Sequence, residues 1–263
     1  MADAAAAPGR VTLVGGGPGS EELLTVGAVE ALRTADVVLY DRLAPHTRLA
    51  SLAPDAVLVD VGKTPGHHPV SQTGIEELIV EHALAGSDVV RLKGGDVYVF
   101  GRGSEEVLAC HRAGIPVTVI SGVSSAIAVP AAAGIPLTHR GVSRMFTVVS
   151  GHAPLSDDEL LHLAGLGSTI VVLMGVNTLP HFSAGLLRQG MSPEMPVAVI
   201  ERGFSPDQRT TIADLGSIVS VAIRSGVSSP AVLVVGEVVR LAHTGDLTAA
   251  EMMDRAGRLS VLG

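Results

Sequence analysis

The sequence predicts an α/β fold, with two α/β domains and a ligand cleft between them. Short runs rich in β-branched residues alternate with helical stretches along most of the 263 residues, which is the order expected of α/β units. The apolar runs are continuous rather than alternating, as in parallel strands that are covered on both faces. The alternation is interrupted at residues 134–144, which we interpret as the connection between the two domains.

The first domain is predicted at residues 10–135. Its predicted strands are residues 10–14, 36–40, 56–61, 88–92 and 117–120. Its predicted helices are residues 21–34, the segment between Thr73 and Gly86, and residues 104–113. Thr73 and Glu76 fit a capping box, Ser104 is the expected cap of the last helix, and Gly86 and Gly114 are typical of helix ends.

The second domain is predicted at residues 136–241. Its predicted strands are residues 146–149, 169–174, 197–201 and 231–235, with a short strand at 210–213. Its predicted helices are residues 157–166, 179–188 and 215–224. Outside the two domains we expect a disordered N-terminal extension at residues 1–9 and a loosely packed tail at residues 242–263.

The composition argues against several classes of protein. A net charge of −8 and the scarcity of aromatic residues (four Phe, two Tyr, no Trp) disfavour nucleic-acid binding. The single cysteine, Cys110, excludes an intrachain disulfide framework and is expected to be a packed thiol. Residues 1–10 do not resemble a signal peptide, and no apolar run approaches the roughly 20 residues that span a bilayer. We therefore expect a soluble, cytoplasmic protein with no membrane partner.

A glycine-rich loop at residues 15–19 follows the first predicted strand. Gly15 and Gly17 fit a dinucleotide-binding fingerprint, but the third glycine position is occupied by Ser20. Pro18 also removes a backbone N–H that such a loop would use for phosphate. The loop is therefore either a tight turn or a ligand loop of another kind.

Charged residues also follow the next strands. Asp41 could be a general base, a ribose acceptor or a turn residue. Lys63 and Lys93 are the only lysines of the chain, and both lie in glycine-rich segments after strands. His67 and His68 could suggest a metal, but no third ligand stands at a recognisable spacing, so we expect no metal site.

The densest segment is residues 91–106, where a strand runs through two glycine pairs and several charged residues into a helix. Glycine-rich loops of this length are usually functional. Residues 120–126 again follow a strand and open a helix, where free N–H groups can meet an anion. Residues 133–141 lie in the predicted connection. On residues alone, a non-catalytic nucleotide-binding module remains an alternative to an enzyme.

At these positions the sequence resembles the tetrapyrrole methylases. The matching motifs are VGGGPG at residues 14–19, YDRL at 40–43, VGK at 61–63, the whole of 91–106, and AGIPLTHR at 133–140. The resemblance covers residues 11–241, and the last two motifs are most similar to uroporphyrinogen-III C-methyltransferases. Ser20, Val97 and Ser121 depart from the Asp, Pro and Pro of the family, which puts the loop geometry there in question.

The resemblance implies a class III methyltransferase fold with S-adenosyl-L-methionine folded in the cleft. The positions that match its cofactor contacts are Pro18, Gly94, Gly95, Asp96, Val99, Ser124, Ser125, Met174 and Gly203. It further implies transfer of two methyl groups to uroporphyrinogen III to give precorrin-2, without a metal. The product would serve cobalamin, sirohaem or haem d1 synthesis. Another branch of the superfamily, acting on a later corrinoid or on a ribosomal or translation-factor target, is the alternative enzyme.

The resemblance also implies roles for polar residues. Asp41 and Lys63 match proposed acid–base groups, and Arg102 and Glu105 match groups at the reacting end. Substrate contacts are implied for Arg42, Arg102, Arg140 and Met174. Physically, an acidic protein needs clustered arginines for a substrate with many carboxylates, and Arg102 suits binding rather than proton abstraction because a guanidinium stays protonated. The family also suggests a homodimer, to which the apolar faces of residues 160–166 and 179–187 could contribute.

Overall fold

A computed structural model of the chain describes residues 7–62 and 70–242. The chain divides into two compact units between Ser124 and Ser125. Each unit is built on its own five-stranded sheet with helices, so the predicted α/β class is confirmed. The division lies N-terminal to the predicted domain boundary after residue 135, and the helix that starts at Ser125 is part of the second unit.

The first unit contains a wholly parallel sheet. Its strands are β1 (Val11–Gly15), β2 (Val37–Tyr40), β3 (Val57–Asp60), β4 (Val89–Lys93) and β5 (Val117–Ile120). They are ordered β3-β2-β4-β1-β5, and every pair is parallel. All five predicted strands are present, and most are displaced by only one residue.

Helices cover both faces of this sheet, as the continuous apolar runs predict. The helices are α1 (Val26–Arg33), α2 (Leu49–Leu52), α3 (Gln72–Leu84) and α4 (Gly103–Arg112). One apolar layer joins the sheet to α3 and α4, and it includes Leu13, Ile79 and Cys110. The other joins the opposite face to α1 and α2, and it includes Leu32 and Leu92.

Two predicted helix starts are wrong. The predicted helix over residues 21–34 is interrupted, because the Thr25 side chain accepts a hydrogen bond from the backbone of Ala28 and caps a helix that begins only at Val26. The residues before it form a separate 3-10 turn. The predicted capping box in α3 is not formed, because Ser71 caps this helix through the backbone N–H of Gly74.

The predicted cap of α4 is also wrong, whereas the predicted helix ends are confirmed. Arg102 precedes α4 in the left-handed conformation (φ 56°) without a side-chain cap, so Ser104 lies inside the helix. Gly86 (φ +93°) and Gly114 (φ +71°) follow the ends of α3 and α4. A residue with positive φ terminates a helix, and glycine adopts this conformation most readily.

The second unit contains a mixed sheet. Its strands are β6 (Phe146–Ser150), β7 (Thr169–Leu173), β8 (Pro196–Glu201), β9 (Arg209–Asp214) and β10 (Ala231–Val235). Its helices are α5 (Ser125–Ala132), α6 (Asp157–Gly165), α7 (Leu179–Arg188) and α8 (Ile218–Arg224). The order is β6-β7-β10-β8-β9, in which β6 pairs parallel with β7 and the other pairs are antiparallel. The predicted elements of this domain are present, although α8 starts three residues after the predicted position 215.

The apolar residues of α6 and α7 serve mainly the core of their own unit. Leu160, Leu163 and Leu186 are buried against the sheet, and the exposed leucines of the first segment are Leu161 and Leu166. The faces predicted to contribute to a dimer are therefore mostly covered within the chain. Across residues 7–62 and 70–242, no helix has the length and apolar character that crossing a membrane requires.

Candidate active site

Three loops meet at the carboxyl edge of the first sheet. Gly17 donates a backbone hydrogen bond to the carbonyl of Gly95 (3.1 Å), and the N–H of Gly95 donates to the carbonyl of Gly17 (2.7 Å). The loop after β5 reaches the same point, since a Cβ on Gly122 would lie 2.4 Å from the Gly95 carbonyl oxygen. Only glycine allows such an approach between backbones, which explains why all three loops contain it.

Asp96 ties two of these loops together. One of its carboxylate oxygens accepts from the backbone N–H of Tyr98 (2.9 Å), and the other accepts from the backbone N–H of Gly122 (3.1 Å). Hydrogen bonds to an ionised group are stronger than those between neutral groups. Both oxygens of Asp96 are therefore already engaged in fixing loop geometry.

The junction of the three loops brings together the predicted cofactor residues of the first unit. Pro18 directly follows Gly17, the segment Gly94–Asp96 includes its partner, and Ser124 ends the loop that Asp96 anchors. After the buried Val97, the segment at residues 98–100 is largely apolar and exposed: the exposed fraction is 56% for Tyr98, 37% for Val99 and 44% for Phe100. Such a surface offers both backbone hydrogen-bonding groups and apolar contacts to a ligand.

In the second unit, Met174 and Gly203 follow neighbouring parts of one sheet edge. β7 and β8 are both antiparallel to β10, so they run in the same direction and end at the same edge. Met174 is left-handed (φ 59°) and 47% exposed. Gly203 packs on α5, which starts at Ser125, because a Cβ on Gly203 would lie 2.6 Å from a methyl group of Val129. The predicted residues of this unit therefore share one sheet edge and one helix.

A network of buried charges lies beside the loops of the first unit. The guanidinium of Arg91 donates from Nη2 to Oδ1 of Asp41 (2.6 Å) and from Nε to Oε1 of Glu106 (3.2 Å). The same oxygen of Glu106 accepts from Nζ of Lys93 (2.9 Å) and from Nε2 of Gln72 (3.3 Å). The network joins the ends of β2 and β4 to the first turn of α4.

Among the charged residues of the network, only Asp41 has appreciable contact with solvent. Glu106, Arg91 and Lys93 are 0%, 1% and 3% exposed, whereas the side chain of Asp41 is 32% exposed. Burial lowers the pKa of Lys93, and the positive charge of Arg91 adds to this effect, while Glu106 opposes it. Asp41 is therefore the charged residue of the network that can reach a bound molecule.

Arg102 and Glu105 form a separate, exposed pair. Arg102 Nε donates to Oε1 of Glu105 (2.8 Å), and Nη2 donates to the second carboxylate oxygen. The hydrogen bonds to Glu105 raise the pKa of Arg102, and the same contact lowers the pKa of Glu105. Arg102 is thus a permanent cation held in a fixed orientation, which agrees with a binding role and not with proton abstraction.

The remaining predicted polar residues are located as follows. Arg42 is exposed next to Asp41 in the first unit, and Arg140 is exposed in the second unit, beside His139, whose N–H donates to the carbonyl of Ser143. Lys63 lies outside the described residues. So do His67 and His68, and residues 7–62 and 70–242 contain no group of three His, Cys, Asp or Glu residues that could hold a metal ion.

Apart from Asp41, no member of the network had an assigned role in the sequence-based prediction. For its charged residues a signal exists. Arg91 and Lys93 alternate with apolar residues along β4, so both charged side chains lie on one face of the strand. Glu106 lies between Gly103 and Cys110 on the buried stripe of α4. A charge at an apolar position requires a partner of opposite charge, so the pattern predicts an ion pair, although it does not identify the partner.

Comparisons with known proteins identify the family of the chain. The family model for Tetrapyrrole (Corrin/Porphyrin) Methylases matches residues 10–219. The chain is 46% identical over 237 residues, 89% of its length and 93% of the relative, to the S-adenosyl-L-methionine-dependent uroporphyrinogen III methyltransferase of Methanosarcina barkeri. It is 46% identical over 236 residues, 89% of the chain and 98% of the relative, to the uroporphyrinogen-III C-methyltransferase of Methanocaldococcus jannaschii. The crystal structure of uroporphyrin-III C-methyl transferase from Thermus thermophilus, complexed with S-adenyl homocysteine, is similar with a TM-score of 0.73 and 43% identity over 89% of this chain and 100% of that one.

Proposed function

The chain belongs to the tetrapyrrole (corrin/porphyrin) methylases, and we propose that it is a uroporphyrinogen-III C-methyltransferase. It transfers two methyl groups from S-adenosyl-L-methionine to ring carbons of uroporphyrinogen III and releases precorrin-2 and S-adenosyl-L-homocysteine. The observation that carries the proposal is the position of Asp41, held by Arg91 and open to solvent, within a chain 46% identical to relatives named for this activity.

The junction of glycine loops suits S-adenosyl-L-methionine. The residues assigned to it are Pro18, Gly94, Gly95, Asp96, Val99, Ser124, Ser125, Met174 and Gly203. Exposed Val99 provides apolar contact, and the close approach of Gly17 to Gly95 leaves backbone rather than side chains at the surface. Asp96 contributes by shaping the loops, since both of its oxygens accept backbone hydrogen bonds. The cofactor, when bound, supplies a methyl group that its sulfonium charge has already activated.

Arginines hold the carboxylates of the substrate. Arg42, Arg102 and Arg140 are exposed, and a guanidinium binds a carboxylate through two parallel hydrogen bonds. Glu105 orients Arg102 through a contact of the same kind. Met174, on the second unit, is assigned as an apolar substrate contact. Because the chain carries a net charge of −8, exposed arginines are needed to attract an anionic substrate.

Asp41 accepts the proton that the ring must lose after methylation has left it cationic. A general base has to be exposed to the substrate and held in one orientation. Oδ1 of Asp41 is fixed by Arg91 at 2.6 Å, and Oδ2 has no hydrogen bond to any residue in the described part of the chain. We assign Lys63, on the basis of its motif, as the acid–base group that acts together with Asp41. Positioning of the reacting carbon supplies most of the remaining rate enhancement.

The proposed enzyme works without a metal, as a cytoplasmic homodimer, with no nucleic-acid or membrane partner. The acidic net charge and the scarcity of aromatic residues support the absence of a nucleic-acid partner. Exposed apolar side chains on the edge strands, such as Val57 on β3 and Phe146 on β6, are available for contact with a second copy.

The test is an anaerobic incubation of the purified chain with uroporphyrinogen III and isotope-labelled S-adenosyl-L-methionine, with the product resolved by mass. We expect two labelled methyl groups per ring and an equal amount of S-adenosyl-L-homocysteine. The matched control is Asp41→Asn, which keeps the size of the side chain and should give little product. Cofactor binding without methylation of this ring would move the assignment to another tetrapyrrole, and no binding of the cofactor would refute a methyltransferase.

A further inference from the structure

Glu106 is a buried carboxylate that no substrate or cofactor contact explains. It is 0% exposed and lies in the first turn of α4. We infer that Glu106 is a positioning residue, which acts through Arg91 to orient the proton-accepting carboxylate of Asp41. The inference rests on the proposed function, because it takes Asp41 as the proton acceptor of that reaction.

The geometry of Arg91 transmits the effect. Its Nη1 donates to the carbonyl oxygens of Leu92 (3.0 Å) and Leu39 (3.4 Å), its Nε donates to Glu106 (3.2 Å), and its Nη2 donates to Asp41 (2.6 Å). A guanidinium is a rigid planar fork, so contacts on one side determine where the other side points. Glu106 and the two carbonyls therefore determine the direction of the bond to Asp41.

The balance of charge requires Glu106 as well. Arg91 and Lys93 extend from the same face of β4 into a region without solvent, and each contributes one positive charge. Asp41 and Glu106 supply the two compensating negative charges. Without Glu106, Asp41 alone would face two buried cations, and the guanidinium would lose the anion that holds it from the opposite side.

The neighbouring glutamate has a different environment. Successive residues of an α-helix point about 100° apart, so Glu105 faces solvent and pairs with Arg102, whereas Glu106 faces the core and pairs with Arg91. The two adjacent carboxylates thus serve different parts of the site. Glu105 orients Arg102, which binds the substrate. Glu106 orients Arg91, which in turn orients the base Asp41.

A double-mutant cycle tests this inference. We would measure kcat at saturation with both substrates for the wild-type chain, Glu106→Gln, Asp41→Asn and the double variant. Glu106→Gln should lower kcat at least about tenfold, since small displacements of a reacting group cost up to about a hundredfold, while KM for S-adenosyl-L-methionine changes less than about twofold. In the Asp41→Asn background the same substitution should lower kcat by less than about twofold, because residues that act as one unit are not additive.

The matched control is Glu201→Gln in the second unit. Glu201 is also 0% exposed and pairs with an arginine, Arg209, at 2.7 and 2.9 Å. Any effect of Glu201→Gln on kcat should multiply with that of Asp41→Asn, as expected of independent sites. If Glu106→Gln does not fold, the double variant Lys93→Met/Glu106→Gln replaces it in the cycle, because it removes one charge of each sign and leaves Arg91 facing Asp41.

Two results would overturn the inference: wild-type kcat in Glu106→Gln, or effects of Glu106→Gln and Asp41→Asn that multiply. Failure of the proposed function is a different result, since it is the absence of methylated uroporphyrinogen with the wild-type chain itself. That result is obtained before any variant is compared, and it would withdraw both assignments.

Discussion

Replacing Gly122 by alanine should disrupt the junction of the three loops in the first unit. The new Cβ would lie 2.4 Å from the carbonyl oxygen of Gly95 and 2.5 Å from the carbonyl carbon of Gly15. An ordinary carbon–oxygen contact is about 3.3 Å or longer, so these atoms would overlap by about 0.9 Å. Both neighbours are backbone atoms, and neither can rotate away as a side chain would.

The expected cost has two parts. Overpacking typically destabilises a protein by about 1–3 kcal/mol. Moving the loop also endangers the hydrogen bond from Gly122 to Asp96 (3.1 Å), and bonds to charged groups contribute about 1.5–3 kcal/mol. We therefore expect Gly122→Ala to lower the free energy of unfolding of the first unit by about 3 kcal/mol, which corresponds to a fall of roughly 10 °C in its midpoint.

Tyrosine fluorescence during thermal unfolding measures the unfolding midpoint of the first unit. The chain has two tyrosines and no tryptophan, and both Tyr40 and Tyr98 belong to the first unit. The matched control is Gly165→Ala, since Gly165 is exposed in α6 and a Cβ there meets no atom within 4 Å. The control should leave the tyrosine transition unchanged. A Gly122→Ala chain as stable as the wild type would refute the crowding argument.

Three further results are expected. Asp41→Asn should lower kcat at least about a hundredfold and leave affinity for S-adenosyl-L-homocysteine, measured by calorimetry, within about twofold; a variant with wild-type kcat would exclude Asp41 as the base. Arg102→Lys should severely reduce turnover or raise KM for uroporphyrinogen III without shifting the tyrosine transition, because its contact with Glu105 is exposed, and unchanged kinetics would remove Arg102 from the site. Burial, followed by the charge of Glu106, raises the pKa of Cys110 to about 11, so at pH 8 only about one thiol in a thousand is ionised. Iodoacetamide should therefore label Cys110 only after the chain has unfolded, as measured by mass spectrometry. Rapid labelling of the folded chain would contradict this expectation.

The strands were more predictable from the sequence than the helix starts. Every predicted strand is present. Most of them contain a continuous apolar run, which is visible without knowledge of the neighbouring strands, although the edge strands β3 and β9 are largely exposed. Helix starts depend on which of several hydroxyl groups reaches a free N–H. Near α3, Ser71 and Thr73 are both residue types that cap helices, and Ser71 is the one that forms the cap. Near α4, a left-handed Arg102 starts the helix without a side-chain cap at all.

The polar network shows a different limit of prediction. Alternation along β4 places Arg91 and Lys93 on one face, and helical periodicity places Glu106 on the buried stripe of α4, so each buried charge can be expected from its own segment. The pairing of Arg91 with Asp41 depends instead on β2 lying next to β4, with β1 on the other side. Periodicity along the chain does not contain strand order, because any parallel neighbour would satisfy the same pattern. The positioning role of Glu106 therefore follows only once the order β3-β2-β4-β1-β5 is known, whereas the exposed pair of Arg102 and Glu105, three residues apart on one helix start, needs no such knowledge.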